Sequence, residues 1–147
     1  MSDPSLNRSL MDEFSKVNRK LRALFDARVK ERGLTLARAR ALFRLSAREA
    51  CNQRELADDL EIETPTIVRL LDGMERQGFI ERRSERSDRR IKQIHLTDAG
   101  RRAACDIENL AASIRAEVVS DIPEDDIRVA LRVVRAMGEN LQAMARD

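Results

Sequence analysis

The feature that most constrains this chain is a pair of helix-start signals twelve residues apart. Asn52 is followed three residues later by Glu55, the spacing of a capping box, in which each side chain satisfies a free backbone amide of the other. A second signal follows at Thr64 and Pro65, the pattern of a cap residue and a proline at the first helical position, and this segment ends at Gly78. Two short helices joined by a turn of about four residues are predicted, which is the spacing of a helix-turn-helix.

After the second short helix the pattern changes from helical to extended. A first predicted strand begins at Phe79 and Ile80, and a second holds Ile91, Ile94 and Leu96. The residues between them are polar and include turn formers, which predicts a β-hairpin with a charged tip. Residues 82–102 hold 8 basic and 3 acidic side chains, whereas residues 51–81 hold 3 basic and 8 acidic ones. Such a local concentration of arginine favours contact with an anion, although a solvated charged loop is the simpler explanation of charge alone.

Long apolar seams flank this central segment. The first helix is predicted from Leu6 to Val29, since that stretch has no Gly or Pro and its apolar residues follow spacings of 4, 3, 4 and 3. Gly33 ends it, and Thr35 can cap a second helix. Thr97 can cap a fifth helix, whose predicted buried side holds Ala103, Ala104, Ile107, Leu110, Ala111, Ile114 and Val118. A last helix after Pro123 carries Ile127, Leu131, Val134, Met137, Leu141 and Met144 at intervals of 3 or 4 residues.

Length and composition exclude several classes of protein. The chain has 147 residues and a formal charge of +2, so one soluble domain without a required cofactor is expected. No apolar run exceeds three residues, so we place no membrane span and no signal peptide, and we expect a cytoplasmic protein. Two cysteines and one histidine cannot build a structural zinc site, and neither a nucleophile–base pair nor a glycine-rich loop points to an enzyme.

The second short helix supplies the candidate DNA-reading residues. Exposed side chains in the first turns of such a helix reach base edges in the major groove. Arg69 is the preferred base reader, because its guanidinium can bind guanine bidentately, but it can equally form a surface ion pair with Asp72 or Glu75. The candidates are Thr64, Pro65, Thr66 and Arg69.

The hairpin favours the DNA-binding alternative for Arg69. Like charges at this density repel, so an ordered hairpin makes most sense beside an anion, and an arginine at its tip fits a narrow minor groove. Asp88 is expected to orient Arg90 rather than to touch DNA. The cations of the hairpin are Arg82, Arg83, Arg86, Arg89, Arg90 and Lys92.

Four segments in order resemble the winged helix-turn-helix core of MarR-family transcription regulators, and within that family they are most similar to the SlyA branch. The resemblance extends over essentially the whole chain. The segments are residues 62–72 (IETPTIVRLLD), 75–80 (ERQGFI), 87–90 (SDRR) and 96–100 (LTDAG).

The resemblance implies an α+β, mostly helical fold that forms one domain over residues 1–147. It implies a homodimer built from helices at about residues 5–32 and 98–147, with a DNA-binding lobe at about residues 35–97. The dimer would bind double-stranded DNA at a pseudo-palindromic operator, with one helix in the major groove and the hairpin as a wing over the minor groove. Carried over to this sequence, the contacts fall on Thr64, Pro65, Thr66, Arg69, Arg89 and Arg90, with Asp88 bracing the wing and Arg86 beside it.

The resemblance also suggests an effector site between the dimer helices and the DNA-binding lobe, since family members often respond to small aromatic carboxylates or phenols. Arginines there would pair with a carboxylate and a phenylalanine would supply an apolar wall. The chain has no Trp or Tyr, so a pocket rich in those residues is excluded. The alternative is that the arginines of this region are solvated or ion-paired. The candidate ligand residues are Arg19, Arg22, Phe25, Thr35 and Arg38.

Two alternatives stay open at this point. Cys51 and Cys105 permit a redox response, but peroxide-sensing relatives carry their reactive cysteine near the N-terminal helices, and no cysteine here precedes Cys51. Cys51 lies beside a predicted helix start that could activate it, while a buried inert thiol is the expected state of either cysteine. A helical scaffold that binds only protein would explain the apolar seams but would leave the arginine hairpin without a partner.

Overall fold

The computed structural model describes residues 3–48 and 50–146. Residues 1, 2 and 147, which lie at the ends of the predicted domain, and Glu49 fall outside the described residues. The elements are α1 (Pro4–Glu31), α2 (Leu36–Ala47), β1 (Cys51–Asn52), α3 (Gln53–Leu60), α4 (Thr64–Arg76), β2 (Ile80–Ser84), β3 (Lys92–Leu96), α5 (Asp98–Val118) and α6 (Glu124–Met144).

Helix α1 extends two residues beyond the predicted stretch Leu6 to Val29 at each end, and α2 begins directly after Thr35, as predicted. Pro4 opens α1, and the Asp3 side chain accepts a hydrogen bond from the Ser5 amide at 2.9 Å. Gly33 adopts φ +72°, a left-handed conformation that glycine enters without a steric penalty. The Thr35 hydroxyl then accepts a hydrogen bond from the Arg38 amide at 3.2 Å, which confirms the predicted cap of α2.

The predicted helix-turn-helix is formed by α3 and α4. Asn52 caps α3 by accepting a hydrogen bond from the Glu55 amide at 2.9 Å. The Glu55 carboxylate accepts from the Asn52 side-chain amide at 2.7 Å, so only half of the predicted capping box forms. Glu63 occupies the cap position of α4 without a side-chain hydrogen bond, and Thr64 is already helical, so the predicted cap at Thr64 is wrong by one residue. Because Pro65 has no amide hydrogen, the start of α4 has one fewer unsatisfied backbone donor.

The sheet has three strands in the order β1-β3-β2, all antiparallel. The predicted hairpin is β2 and β3, with Ile80 opposite Leu96 and Arg82 opposite Ile94. The additional strand β1 is missing from the sequence prediction, and its two residues pair with the other edge of β3. The hairpin is thereby joined to the start of α3, so its base is fixed on the helix-turn-helix.

A dense junction joins the end of α4 to the start of α5. The Thr97 hydroxyl donates to the Gly78 carbonyl at 2.5 Å and accepts from the Gly100 amide at 3.1 Å, which confirms Thr97 as the cap of α5. A Cβ atom on Gly100 would lie 2.0 Å from the Phe79 carbonyl oxygen, so this close approach requires glycine. In the LTDAG segment, Thr97 is therefore explained by helix capping and Gly100 by its close approach to the backbone of Phe79.

The contacts within the chain define two compact units, Met1–Ala111 and Ala112–Asp147, and the boundary between them lies inside α5. The first unit has a fully buried core that includes Leu42, Leu56, Ile67, Leu71 and Met74. Of the residues predicted for the buried side of α5, Ala104, Ile107, Leu110, Ala111 and Ile114 are buried, Ala103 is half-buried, and Val118 is exposed. The prediction is wrong for Val118, which is the last residue of its helix.

No residue of α6 is buried in this single chain. Glu124, Asp125 and Asp126 occupy its first turn, as predicted, where negative charge favours a helix. None of the helices in the described part of the chain combines the length and the hydropathy that crossing a membrane requires.

Candidate nucleic-acid interface

One side of α4 is exposed and polar, and the other side is apolar and buried. Ile67, Leu70, Leu71 and Met74 face the core. On the outer side, the structure leaves four of the predicted reading residues exposed, namely Thr64, Pro65, Thr66 and Arg69. The helix is therefore anchored along its length while its N-terminal half presents two hydroxyls, a proline ring and a guanidinium to solvent.

Arg69 has no ion pair within the described part of the chain. The two carboxylates that were its alternative partners are engaged by Arg82, whose Nη2 lies 2.6 Å from Asp72 Oδ1 and whose Nε lies 3.8 Å from Glu75 Oε2. The surface ion pair considered for Arg69 is thus replaced by one that reaches α4 from β2. Arg69 keeps its full charge available for another anion.

Arg82, which the sequence analysis counted among the cations of the hairpin without assigning it a DNA contact, is a structural residue. Its side chain is 22% exposed, and its Nε is buried without a hydrogen-bond partner in the described structure. Because β2 is one strand of the hairpin, this ion pair ties the hairpin to α4. The signal in the sequence was the pair of acidic residues one helical turn apart on α4, which together form a receptor for one arginine.

We define the wing as β2, β3 and the residues 85–91 between them. Arg83 pairs with Glu81 on its own strand, and Arg90 pairs with Asp88, so with Arg82 three of the six wing cations are ion-paired. Glu85 accepts a hydrogen bond from the Gln93 side chain at 3.2 Å, which links the two sides of the wing. The cations of the wing without an ion pair, among the residues described, are Arg86, Arg89 and Lys92.

The tip of the wing is ordered by Asp88 and Arg90. Asp88 Oδ1 accepts from the Arg90 amide at 2.9 Å and from Arg90 Nε at 3.2 Å, and Asp88 Oδ2 accepts from Arg90 Nη2 at 3.2 Å. These side-chain and backbone hydrogen bonds hold the pKa of Asp88 below its usual range. The expected bracing contact is present, and it leaves the neighbouring Arg89 exposed at the tip.

Arg54 is a further cation of this surface that the sequence analysis did not single out. It lies in the first turn of α3 and lines two grooves. One groove also holds Arg90 and Lys92 of the wing, and the other holds Thr64 and Pro65 of α4. A signal was available, because a cation in a helix first turn opposes the helix dipole and so calls for another explanation. Arg54 therefore lies between the wing and the start of α4, in a groove whose lining also includes Asp58 and Glu63.

The candidate ligand residues separate into two groups. Phe25 of α1 stacks on Phe43 of α2, with ring centroids 6.2 Å apart. Thr35 caps α2, and Arg38 extends to α4, where its Nη1 donates to Gln77 Oε1 at 2.7 Å. Arg19 and Arg22 lie exposed on α1.

The two cysteines differ in their surroundings. Burial raises the pKa of the Cys51 thiol, and the carboxylates of Glu55 and Asp59 raise it further. Cys51 lies in β1 beside the start of α3, yet this environment opposes the thiolate and hence reactivity. Cys105 is exposed on α5, and both thiols are free. No cluster of three or more potential metal ligands occurs among the described residues.

The chain is similar to known regulators in both sequence and fold. The sequence model of the MarR family matches residues 34–92, from just before α2 to the first residue of β3. The solved structure of transcriptional regulator PA3341 is 36% identical, with a TM-score of 0.76, and the match covers 91% of this chain and 98% of that chain.

Two more distant structures share the winged helix-turn-helix fold. A MarR family transcription regulator, SP03579, has a TM-score of 0.89 at 19% identity, over 97% of this chain and 95% of that chain. The DNA complex of MepR from S. aureus has a TM-score of 0.76 at 21% identity, over 88% of this chain and 96% of that chain. The candidate DNA-contact residues described above therefore lie on the helix-turn-helix and the wing of this fold.

Proposed function

The chain belongs to the MarR family of transcription regulators, which are not enzymes, and on that basis we propose that it binds a pseudo-palindromic operator as a homodimer. The observation that carries this proposal is the exposed guanidinium of Arg69. It stands on the outer side of α4 without an ion pair among the described residues, while Arg82 occupies the nearby carboxylates of Asp72 and Glu75. A charged group kept available in this way suits a base edge or a phosphate.

In this proposal α4 enters the major groove. Thr64 and Thr66 contact phosphate or a thymine methyl group, Pro65 packs beside them, and Arg69 binds guanine. A solved complex of MepR with DNA exists for the same fold, which supports a nucleic-acid partner for this architecture. Arg54 at the start of α3 adds a phosphate contact next to Thr64.

The wing lies over the minor groove. Arg89 at the tip enters the groove, Arg86 holds an adjacent phosphate, and Asp88 keeps Arg90 in place through its paired hydrogen bonds. The wing contacts add affinity at every sequence, whereas Arg69 distinguishes between sequences. The DNA-binding lobe in this proposal comprises about residues 35–97.

Two exposed apolar helices support the homodimer. On α1, Phe14 is 45% exposed and Val17 is 52% exposed, and on α6, Leu131 is 47% exposed and Leu141 is 62% exposed. Large apolar side chains exposed at regular intervals along a helix of a charged protein mark that helix as an association surface. We assign dimerisation to helices at about residues 5–32 and 98–147, within one domain of a cytoplasmic protein. Two reading lobes related by a twofold axis then contact half-sites about one DNA turn apart.

The second part of the proposal is an effector. The stacked pair of Phe25 and Phe43 offers an apolar wall, and Arg22 lies one turn before Phe25 on the same helix. A small aromatic carboxylate or phenol bound there, with Arg19, Thr35 and Arg38 as further contacts, would favour one spacing of the two lobes. Only a ligand with different affinities for the two spacings can change DNA binding. We also propose that the chain is most similar to the SlyA branch of the family, on the resemblance of its IETPTIVR and SDRR segments to that branch.

Selection of purified protein against fragmented genomic DNA at near-physiological salt tests the function. We expect enrichment of an inverted repeat, and log K for that site should fall with log salt by roughly 0.9 per phosphate contact. Retention of no sequence above background, with a flat salt dependence, would instead support a protein-binding scaffold.

Two substitutions then test the division of labour on a panel of mismatched operators. Arg69→Ala should relax base preference, whereas Arg89→Ala should weaken all sites about equally. Identical loss profiles for the two variants would contradict the assignment of Arg69 to base recognition.

A further inference from the structure

The side chain of Arg38 extends from α2 to the C-terminal end of α4, where it contacts Gln77, 39 residues further along the chain. Its Nη1 donates to Gln77 Oε1 at 2.7 Å. Its guanidinium also lies against the backbone of α4 at Gly73, where an added Cβ atom would come within 2.4 Å of Arg38 Nη2. A guanidinium can lie this close to the helix only because Gly73 has no side chain.

Two unfavourable local choices in the sequence are explained together by this contact. Glycine is the least favourable residue after proline in a helix interior, and Gly73 lies within the C-terminal half of α4. A cation in a helix first turn opposes the helix dipole, and Arg38 lies in the first turn of α2. The same cation lies beside the last turn of α4, where the dipole favours positive charge. The position of the Arg38 charge is therefore favourable for the dipole of α4 and unfavourable for the dipole of α2.

The direction of this contact matters because the buried side of α4 makes apolar contacts, and the other polar contact already described joins Asp72 and Glu75 to Arg82 of β2. Ile67, Leu71 and Met74 are fully buried, and apolar burial is not directional. The Arg38–Gln77 hydrogen bond has a defined direction, so it can set the roll and tilt of the helix. Thr64 lies about 20 Å from Gln77 along the helix axis, so a tilt of about 5° at Gln77 displaces Thr64 by about 2 Å. That displacement is larger than the tolerance of a hydrogen bond to a base edge.

We propose that Arg38 is a positioning residue for DNA recognition, which acts through Gly73 and Gln77 to hold the reading residues of α4 in register with the bases. This inference rests on the proposed function of α4. Arg38 touches no DNA in this arrangement. Its removal weakens specific binding and spares the non-specific attraction between the basic surface and phosphates.

The test compares affinity for the selected operator with affinity for a scrambled duplex, at one fixed salt concentration. Arg38→Met keeps the aliphatic stem and removes the donors, and it should reduce operator affinity about tenfold relative to scrambled DNA, the size expected for one charge-assisted hydrogen bond. Arg40→Met is the matched control, because Arg40 is an exposed arginine on the same helix with no ion pair among the described residues. It should lower both affinities equally and slightly.

Two further variants separate positioning from a general structural effect. Gly73→Ala raises helix propensity and displaces the flexible tip of Arg38, so the chain should melt no earlier and still lose operator preference. Arg38→Lys keeps the charge but not the planar fork, and it should recover only part of the preference. Loss of stability in proportion to loss of operator affinity would identify a merely structural contact.

The outcomes also distinguish this inference from the function on which it rests. If the wild-type protein does not prefer its selected operator over scrambled DNA, the proposed function fails and this inference fails with it. If the wild-type protein prefers the operator and Arg38→Met does so equally, only the positioning role is overturned.

Discussion

The lobe from α2 to β3 and the C-terminal helix α6 treat their apolar residues in opposite ways. In the lobe, Leu42, Ile67 and Leu71 are 0% exposed. On α6, Leu131 is 47% exposed and Leu141 is 62% exposed, and no residue of that helix is buried. The lobe completes its core within one chain, whereas α6 carries an apolar face of the same periodicity without a core in the same chain. Equal hydrophobic patterning thus encodes folding in one region and, on our proposal, association in the other.

The largest effect should come from truncating a core side chain of the lobe. Leu71→Ala should lower the free energy of unfolding by about 2–5 kcal/mol, through lost burial and the cavity left behind. Urea denaturation monitored by circular dichroism measures it. Leu141→Ala is the matched variant on α6, and its effect should shrink with dilution, because association stabilises by mass action and both proteins become monomeric at low concentration. Equal and concentration-independent losses for both variants would erase the contrast between the two regions.

A charge on α6 should dissociate the proposed dimer without unfolding the lobe. Leu131→Asp places a carboxylate in the apolar face, and we expect it to weaken association by about 2 kcal/mol or more. Analytical ultracentrifugation gives the dissociation constant. Arg132→Asp is the control, since it places the same carboxylate at the neighbouring exposed position and should have a smaller effect. A wild-type protein that sediments as a monomer at all concentrations would exclude the dimer.

The tie between the wing and α4 should have an intermediate effect. Arg82→Met leaves Asp72 and Glu75 without their cation, and we expect a loss of about 1 kcal/mol in unfolding free energy, typical of a partly exposed ion pair. Operator affinity should fall further, because the released carboxylates compete with DNA for Arg69. Addition of Asp72→Asn should restore part of that affinity. No recovery in the double variant would mean that Asp72 and Arg82 do not act as a pair.

The smallest effect concerns the wing tip at low pH. The pKa of Asp88 is lowered in the folded chain, so its contribution to wing order is present above the unfolded-state pKa and is lost as pH falls through the folded-state pKa. An NMR titration should therefore show Asp88 ionising below an aspartate in an unstructured peptide. In Asp88→Asn the amide of Arg90 should no longer shift with that titration. An ordinary midpoint for Asp88 would mean that the Arg90 contact is not maintained in solution.

Local signals made most of the fold predictable. Thr35, Asn52 and Thr97 were assigned as caps from residue type and spacing, and each accepts the expected backbone hydrogen bond. Strand β1 was missed because two residues show no alternation, and its pairing depends on the free edge of β3. The half-formed capping box at Asn52 has the same origin, since this residue belongs to a strand as well as to a helix start.

The candidate site was predictable by position and only partly by partner. Exposure of Thr64, Thr66 and Arg69 followed from the helical period of α4. The role of Arg82 did not follow, because its carboxylates lie 10 and 7 residues earlier and approach it only once the wing folds back on the helix. Arg38 shows the same limit over a longer distance. Pairings across the fold depend on tertiary geometry, which residue spacing alone does not carry.

The ion pair of Arg82 also bears on which operators the protein can accept. This ion pair joins the wing to α4. In the proposed interface, the distance between the groups that face the major groove and those that face the minor groove is therefore fixed by the protein. A duplex whose grooves do not match that length must bend or narrow, and the energy required depends on the stiffness of base pairs that no side chain touches. The lobe then selects DNA by its groove dimensions and its stiffness as well as by the bases that the side chains contact.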